Sequence, residues 1–389
     1  MSYDYVVLGA GRQGVALAYD LALNCEADRV TLVDVHPEPL VRAEERLRAL
    51  LPGHGCHFAA VACDVSQPES LRPHVAGVDV VLSAVPFRLN VALTDAAIAA
   101  GASFCDLGGN TAVVRRQLAR HDRAAARGVS VVPDCGLAPG LGNILAAHAI
   151  ATLDQPAHVH IRCGGLPERP VGPLGYKLLF NFEGLLNEYG GFGEYLRAGE
   201  PARVPALTEV EEIEFPPPLG RCEAAVTSGG VSTCTETFRG RVQTYDYKTV
   251  RYPGHYAIMR ALFELGCFEA RVALPDGRVL EPRALFRQLL ETRLAFPDVR
   301  DLVVLRCIVQ GVHQGRPLTR QYDLFDRHDE QTGFSAMERT TAFPTTLVAY
   351  MQARRLIAPG ARPLEVALPL RQYLDELAAH DLRVTISES

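Results

Sequence analysis

The chain has 389 residues, 48% hydrophobic and 22% charged, with a formal net charge of −6 and a pI of about 6.1. That is enough chain for two globular domains; no apolar run nears the roughly 20 residues that span a bilayer, and no basic stretch leads into an apolar one, so a cytoplasmic protein is expected. The acidic balance gives no broad attraction to nucleic acid or to an anionic membrane, which leaves a small molecule as the expected partner.

From residue 3 to about 150, short apolar runs alternate with segments of helical spacing. The runs are YDYVVLG (3–9), RVTLVD (29–34), HFAAVA (57–62), DVVLSAV (79–85), SFCDL (103–107) and VSVVPD (129–134). Near-continuous Val/Leu strands separated by helices predict a parallel sheet covered on both faces, a doubly wound Rossmann-type α/β domain over residues 1–140. After about residue 155 the pattern changes. HVHIRC, AAVTSG, EARVAL and DLVVLRCIVQGV alternate with Gly/Pro-rich stretches such as GGLPERPVGPLG, predicting an α+β domain over 141–344. TTLVAYMQARRL (345–356) is again helical, and the segment 345–389 is expected to return to the first domain. The ten cysteines show no CxxC pair and no histidine at metal-ligand spacing, so buried, reduced thiols and no metal are expected.

Gly9-Ala10-Gly11-Arg12-Gln13-Gly14 follows the first strand and opens a helix. In that context a GxGxxG cradles a pyrophosphate: the first glycine makes the turn, the second admits the phosphates, and the third lets helix and strand pack. Asp34, twenty residues after Gly14, closes the second strand, where a carboxylate takes the adenosine ribose hydroxyls and repels a 2′-phosphate. Val35-His36-Pro37 brings no Lys or Arg to hold such a phosphate, so NAD is favoured over NADP. Asp64, after the third strand, is placed either at the adenine edge or in a plain turn.

Ligands of open α/β sheets lie beyond the carboxyl ends of the strands. The fourth strand ends in Val85-Pro86-Phe87-Arg88, the fifth in Asp106-Leu107-Gly108-Gly109-Asn110, the sixth in Asp134-Cys135-Gly136 and on to Gly140. Asp106 and Asp134 are candidates to hold an ammonium or shuttle a proton, or each caps its own turn.

These residues, with CGGLPERP, PLGYKLLFNFEGLLNEY, TSGGVST and YKTVRYPGH in order, resemble the saccharopine dehydrogenase family over nearly the whole chain, on the side of its bacterial lysine-6-dehydrogenating members. The resemblance implies a nucleotide-binding domain, a central α+β domain that mediates a homodimer, and a C-terminal return. It implies NAD-dependent oxidative deamination of the ε-amino group of L-lysine to the 6-semialdehyde with release of ammonia; the alternative is a saccharopine-type reaction on the secondary amine of an amino-acid adduct. Where the saccharopine branch carries an Asn-Arg-Asp-Ser type segment, this chain has Ser228-Gly229-Gly230-Val231-Ser232-Thr233, which lacks the bidentate carboxylate binder. Pro173-Leu174-Gly175-Tyr176-Lys177 looks as much like the saccharopine branch. A lysine substrate needs acids for its ammonium groups and a cation for its carboxylate. Asp106 and Asp134 suit the first and Arg251, Lys248 or Arg88 the second. His255 carries an imidazole, whose intrinsic pKa of about 6.5 suits proton transfer, although a lone histidine is more often structural. Tyr176 and Glu183 are further candidates, Glu183 otherwise a solvated helix charge. Phe87 and Gly140 are expected at the substrate, and Ser232 and Thr233 either contact it or cap a turn.

Overall fold

The computed structural model describes residues 2–389. The six predicted strands are present as β1 (Tyr3–Leu8), β2 (Ala27–Asp34), β3 (His57–Ala62), β4 (Val80–Ser83), β5 (Ser103–Asp106) and β6 (Ser130–Val132). The second region contributes β7 (Gln155–Pro167), β8 (Phe192–Arg197), β9 (Glu200–Pro205), β10 (Glu211–Phe215), β11 (Gly220–Val226), β12 (Thr244–Arg251), β13 (Val272–Ala273), β14 (Val279–Leu280), β15 (Asp301–His313) and β16 (Arg316–Arg327); β17 (Gly360–Ala361) and β18 (Val384–Glu388) close the chain.

The first sheet runs β17-β6-β5-β4-β1-β2-β3, parallel throughout. Strand order reverses between β1 and β4, so the crevice for a ligand opens there. Alternation along β1 serves both faces. Tyr5 and Val7 enter the core beneath the helix Arg12–Asn24, while Val6 and Leu8 enter the core on the opposite face. With both faces dry, the strands carry no polar alternation.

The second sheet is mixed, in the order β10-β11-β12-β7-β15-β16-β18, with β8 and β9 added at β12. β12 and β7 are parallel; most other pairs are antiparallel. The helix Leu141–Ala151 is buried along almost its whole length and shares one core with both sheets. EARVAL forms only the two-residue β13, turned back on β14 across Asp276-Gly277.

The late helix is longer than its apolar pattern suggests, running from Ala336 to Ala353 through Pro344. Ser335 and Glu338 form a reciprocal cap (Ser335 N–H to Glu338 Oε2 2.7 Å, Glu338 N–H to Ser335 Oγ 3.1 Å). Asp301 accepts from the next two N–H groups at 2.9 and 3.0 Å. Burial on nearly all sides carries the helix past its proline. Beyond it the chain adds β17 beside β6 and then β18 beside β16, so it meets both sheets. All ten cysteines are free, and all but Cys267 are buried. Among the described residues no helix is long and apolar enough to cross a membrane.

Candidate active site

At the cofactor end, each glycine of the loop meets a different constraint. Gly9 has φ +103°, and a Cβ there would press on the Ala84 carbonyl at 3.1 Å. A Cβ on Gly14 would lie 1.8 Å from the Gly9 carbonyl oxygen, so helix and strand touch through it. A Cβ on Gly11 would meet nothing within 4 Å. The loop is therefore closed against protein at Gly9 and Gly14 and open at Gly11, at the N-terminus of a helix whose first N–H groups seek acceptors. Asp34 ties this loop to β2, accepting from Ala10 N–H at 2.9 Å and His36 N–H at 3.0 Å. Val85 borders Gly9. This loop fits a dinucleotide.

Arg12 and Gln13 do not aim at that opening. Arg12 Nε pairs with Glu338 at 2.8 Å and its Nη2 donates to Ser335 at 3.1 Å; Gln13 Nε2 donates to the Met337 carbonyl at 3.2 Å. Both side chains moor the loop to the late helix. Asp64 is exposed and caps its own turn, where the Ser66 hydroxyl and then the Ser66 N–H (2.9 Å) hold its carboxyl below the usual range.

Around the expected reacting end the fold assembles distant segments. Phe87 lies against Gly109, whose Cβ would come within 2.9 Å of its ring. Asn187, near the end of the helix Phe182–Tyr189, donates to the Gly109 carbonyl at 3.2 Å. Its neighbour Glu188 accepts from Thr249 at 2.7 Å and faces the Arg251 guanidinium at 3.4 Å. Arg251 is 2% exposed, with its guanidinium carbon 4.9 Å from the centre of the Tyr176 ring. The Tyr176 hydroxyl is buried without a hydrogen-bond partner. Arg251 engages each of its nitrogens, Nε with the Tyr189 hydroxyl, Nη1 with the Val250 carbonyl at 2.9 Å and Nη2 with Glu188, so the Tyr176 hydroxyl is the unsatisfied group of this cluster.

His255 stands behind this group. Its Nδ1 must donate to the Leu174 carbonyl (2.9 Å), so Nε2 accepts from the Tyr189 hydroxyl (2.9 Å), which in turn accepts from Arg251 Nε (2.8 Å). Burial, reinforced by Arg251, pushes the imidazole down to about 3. Both nitrogens are committed, so His255 holds Arg251 through Tyr189 and has no free atom for a substrate proton. Lys248 lies on the other face of β12, bound to Glu211 at 2.7 Å and to the Glu209 carbonyl at 2.7 Å. Residues three apart on a strand point to opposite faces, so Lys248 and Arg251 cannot share a ligand. Arg88 is exposed on the turn Phe87–Leu89. Glu183 is a surface residue paired with Arg283.

The two aspartates part company as well. Asp106 is fully buried and spent: it accepts from Gly108 N–H (2.8 Å), Asp134 N–H (3.2 Å) and Gln117 Nε2 (2.7 Å). Asp134 has φ +62°, accepts from the Ser232 hydroxyl through Oδ2, and leaves Oδ1 buried without a partner. Burial first, then the nearby Asp106, push its carboxyl up to about 7. Asp134, Gly140, Asn143, Ser232, Thr233 and Glu365 line a cavity of about 10 Å³, the room one water needs. Gly140, at φ +140°, is tied to its turn, since a Cβ would strike the Gly136 carbonyl.

Sequence reasoning overlooked Glu188, Asn187, Thr249 and Glu365. Phe182, Leu185, Leu186 and Tyr189 form the buried stripe of their helix, and three-residue spacing from Leu185 sets Glu188 at its margin, a signal available in the sequence. The fold also gathers Asp20, Cys25 and His380, all buried, with ligand-type atoms within 4.8 Å of one another. His380 Nδ1 meets Asp20 at 2.6 Å.

A parallel sheet with a glycine loop at its reversal point, facing a mixed-sheet domain that brings an arginine and acids to the same edge, defines an oxidoreductase of the dehydrogenase type with a pyridine-nucleotide-binding domain. Residues 5–132 match the family profile described as "Saccharopine dehydrogenase NADP binding domain", and residues 136–382 match "Saccharopine dehydrogenase C-terminal domain". The chain belongs to the saccharopine dehydrogenase family. It is 28% identical over 262 residues to alpha-aminoadipic semialdehyde synthase of Arabidopsis thaliana, covering 59% of this chain and 23% of that one. It is 25% identical over 293 residues to carboxynorspermidine synthase of Vibrio cholerae, covering 71% and 68%. The chain thus spans under a quarter of the first relative and about two thirds of the second. The fold superposes on apo saccharopine dehydrogenase (L-Glu forming) from Saccharomyces cerevisiae with a TM-score of 0.78 at 19% identity, over 100% of both chains.

Proposed function

We propose that the chain is an NAD-dependent amino-acid dehydrogenase that oxidises the ε-carbon of L-lysine and releases ammonia. The observation that carries this reading is the buried Arg251, held by the single carboxylate of Glu188 beside the orphan Tyr176 hydroxyl. A guanidinium binds one carboxylate bidentately, Glu188 suits the α-ammonium, and Tyr176 supplies a further hydrogen bond. A Cβ at Gly230 would strike the Tyr247 ring at 2.4 Å while one at Gly229 would meet nothing within 4 Å, and this chain has an arginine at neither position for a second substrate carboxylate.

The open face at Gly11 and the carboxylate of Asp34 would hold the dinucleotide, and the bound nicotinamide supplies the hydride acceptor. Asp34 uses one acceptor position on each oxygen for the backbone, leaving roughly two of about four for ribose hydroxyls. Its charge and the absence of Lys or Arg in Val35-His36-Pro37 favour NAD. Asp134 receives the ε-ammonium proton at Oδ1 through the one water its small cavity has room for, with Ser232 fixing Oδ2; a carboxyl titrating near neutrality suits that exchange. Loss of hydride from the ε-carbon leaves an imine; water adds to it, ammonia departs, and the 6-semialdehyde cyclises. A cytoplasmic homodimer completes the reading, and solution light scattering reports the mass.

The test is NADH formation, followed near about 340 nm, together with ammonia release from lysine, ornithine, saccharopine and simple diamines. Lysine should lead, with ornithine slower because its reacting carbon falls short by one methylene. The names of the relatives favour a second reading, chemistry on a secondary amine built from an amino acid and a carbonyl compound. Turnover of saccharopine without lysine would replace the first reading with the second.

A further inference from the structure

Glu365 lies in the short helix Leu364–Ala367, just past β17. It is 6% exposed, yet among the described residues no Lys, Arg or His pairs with it. It accepts from the Thr233 hydroxyl at 2.9 and 3.1 Å and from the Thr237 hydroxyl at 2.6 Å. Its own backbone N–H and the Cys234 thiol add to the two hydroxyls, and no cation is among them; burying a carboxylate without one is costly, and an apolar side chain would anchor the same segment more cheaply. Thr233 follows Ser232, a non-glycine residue at φ +50° whose hydroxyl donates to Asp134. Asn143 holds the preceding residue, donating to the Val231 carbonyl at 2.8 Å. Two left-handed residues facing each other through one hydrogen bond persist only when their surroundings over-determine them. Glu365 supplies the outer half of that constraint.

We propose that Glu365 is a positioning residue for Asp134: by gripping Thr233 and Thr237 it keeps the Ser232 hydroxyl on Asp134, and so makes the C-terminal segment part of the active site. This rests on the reading above that Asp134 exchanges the substrate proton. Glu365 and Asp134 line the same small cavity, and the charge of Glu365 opposes that of Asp134, adding to burial and Asp106 in keeping the latter's carboxyl protonated. An anchor for the C-terminus alone would show neither effect.

Glu365→Gln keeps an oxygen for the threonines and removes the charge; Glu365→Ala removes both. With whichever amine the wild-type protein oxidises, Glu365→Ala should lower kcat at least about tenfold while KM for NAD stays unchanged, as expected for a misplaced catalytic group. Glu365→Gln should keep kcat within a few-fold at neutral pH and move the acid limb of the kcat profile to lower pH. A carboxyl-carbon NMR titration of Asp134 in the Gln variant should move the same way, and it needs neither turnover nor the Ala variant to fold. An unmoved Asp134 titration and pH profile, with only a lowered Tm, overturns the proposal and leaves Glu365 a staple. Absence of lysine oxidation by the wild type overturns the substrate reading and not this one.

Discussion

The two ends of the proposed site are built in opposite ways. The cofactor end is drawn mainly from one stretch, Tyr3 to Asp34, of strand, turn, helix and second strand. The substrate end takes Phe87 and Gly109 from the first domain, Tyr176 and Glu188 from an irregular stretch and a short helix, and Arg251 from β12. A site made of neighbours in sequence tolerates change elsewhere in the molecule. A site made of strangers depends on how two domains meet.

The sharpest way to break this comparison is at the loop. Gly14→Val drives a side chain into the Gly9 carbonyl and should cost both fold and cofactor. Gly11→Val enters open space, so the melting temperature of the free protein should hold while NAD affinity falls at least about a hundredfold, close to 3 kcal/mol. Equal damage from both, read by thermal melts with and without NAD, would mean that the loop does not bind phosphate.

At the other end, Arg251→Lys keeps the charge and loses the fork. We expect KM for lysine to rise by roughly tenfold to a hundredfold, with NAD binding unchanged, because a bidentate contact is worth about 1.5–3 kcal/mol. A variant with normal KM would remove Arg251 from the substrate.

Two buried groups give opposite pH slopes. The folded protein holds His255 neutral down to about 3, so its contribution is present above the ordinary value near 6.5 and is lost as pH falls below it. Asp134 is raised to about 7, so the folded state keeps a proton that the unfolded chain sheds near about 4, and stability is lost as pH rises between those values. Asp134→Asn cannot ionise. Its Tm relative to wild type should therefore improve steadily from about pH 4 to about pH 7 and level off above; a flat difference would show Asp134 to be an ordinary carboxylate.

Changing Asp34 to Ser should narrow the preference for NAD over NADP by about tenfold, with a repulsion relieved and no new cation supplied. The mildest outcome is expected for Lys248→Met. It faces away from Arg251, so KM for lysine should not move, whatever happens to stability. A raised KM would show that the two faces of β12 are coupled.

Much of the fold was legible because its signals are local. Apolar runs at the right spacing mark β1 to β6, and strand, glycines and acid in one short stretch mark the loop. The seventh strand was not legible, since Gly360-Ala361 carries no apolar signal and pairs only because the chain is led back beside β6. The start of the late helix was hidden in part by Pro344, although its Ser335 and Glu338 cap was visible in principle.

The sequence by itself determined which residue types could do the chemistry and where the cofactor's phosphates should lie, because a turn and the helix it opens are specified by adjacent side chains. Tertiary structure decided which of those candidates meet. It turned Arg12 toward Glu338, set Lys248 behind the sheet and Arg251 in front, committed both nitrogens of His255, and spent Asp106 while leaving an oxygen of Asp134 free. The reason is geometric. A side chain's type is local, but its partners, burial and charge state depend on segments up to hundreds of residues away, and only packing brings those together.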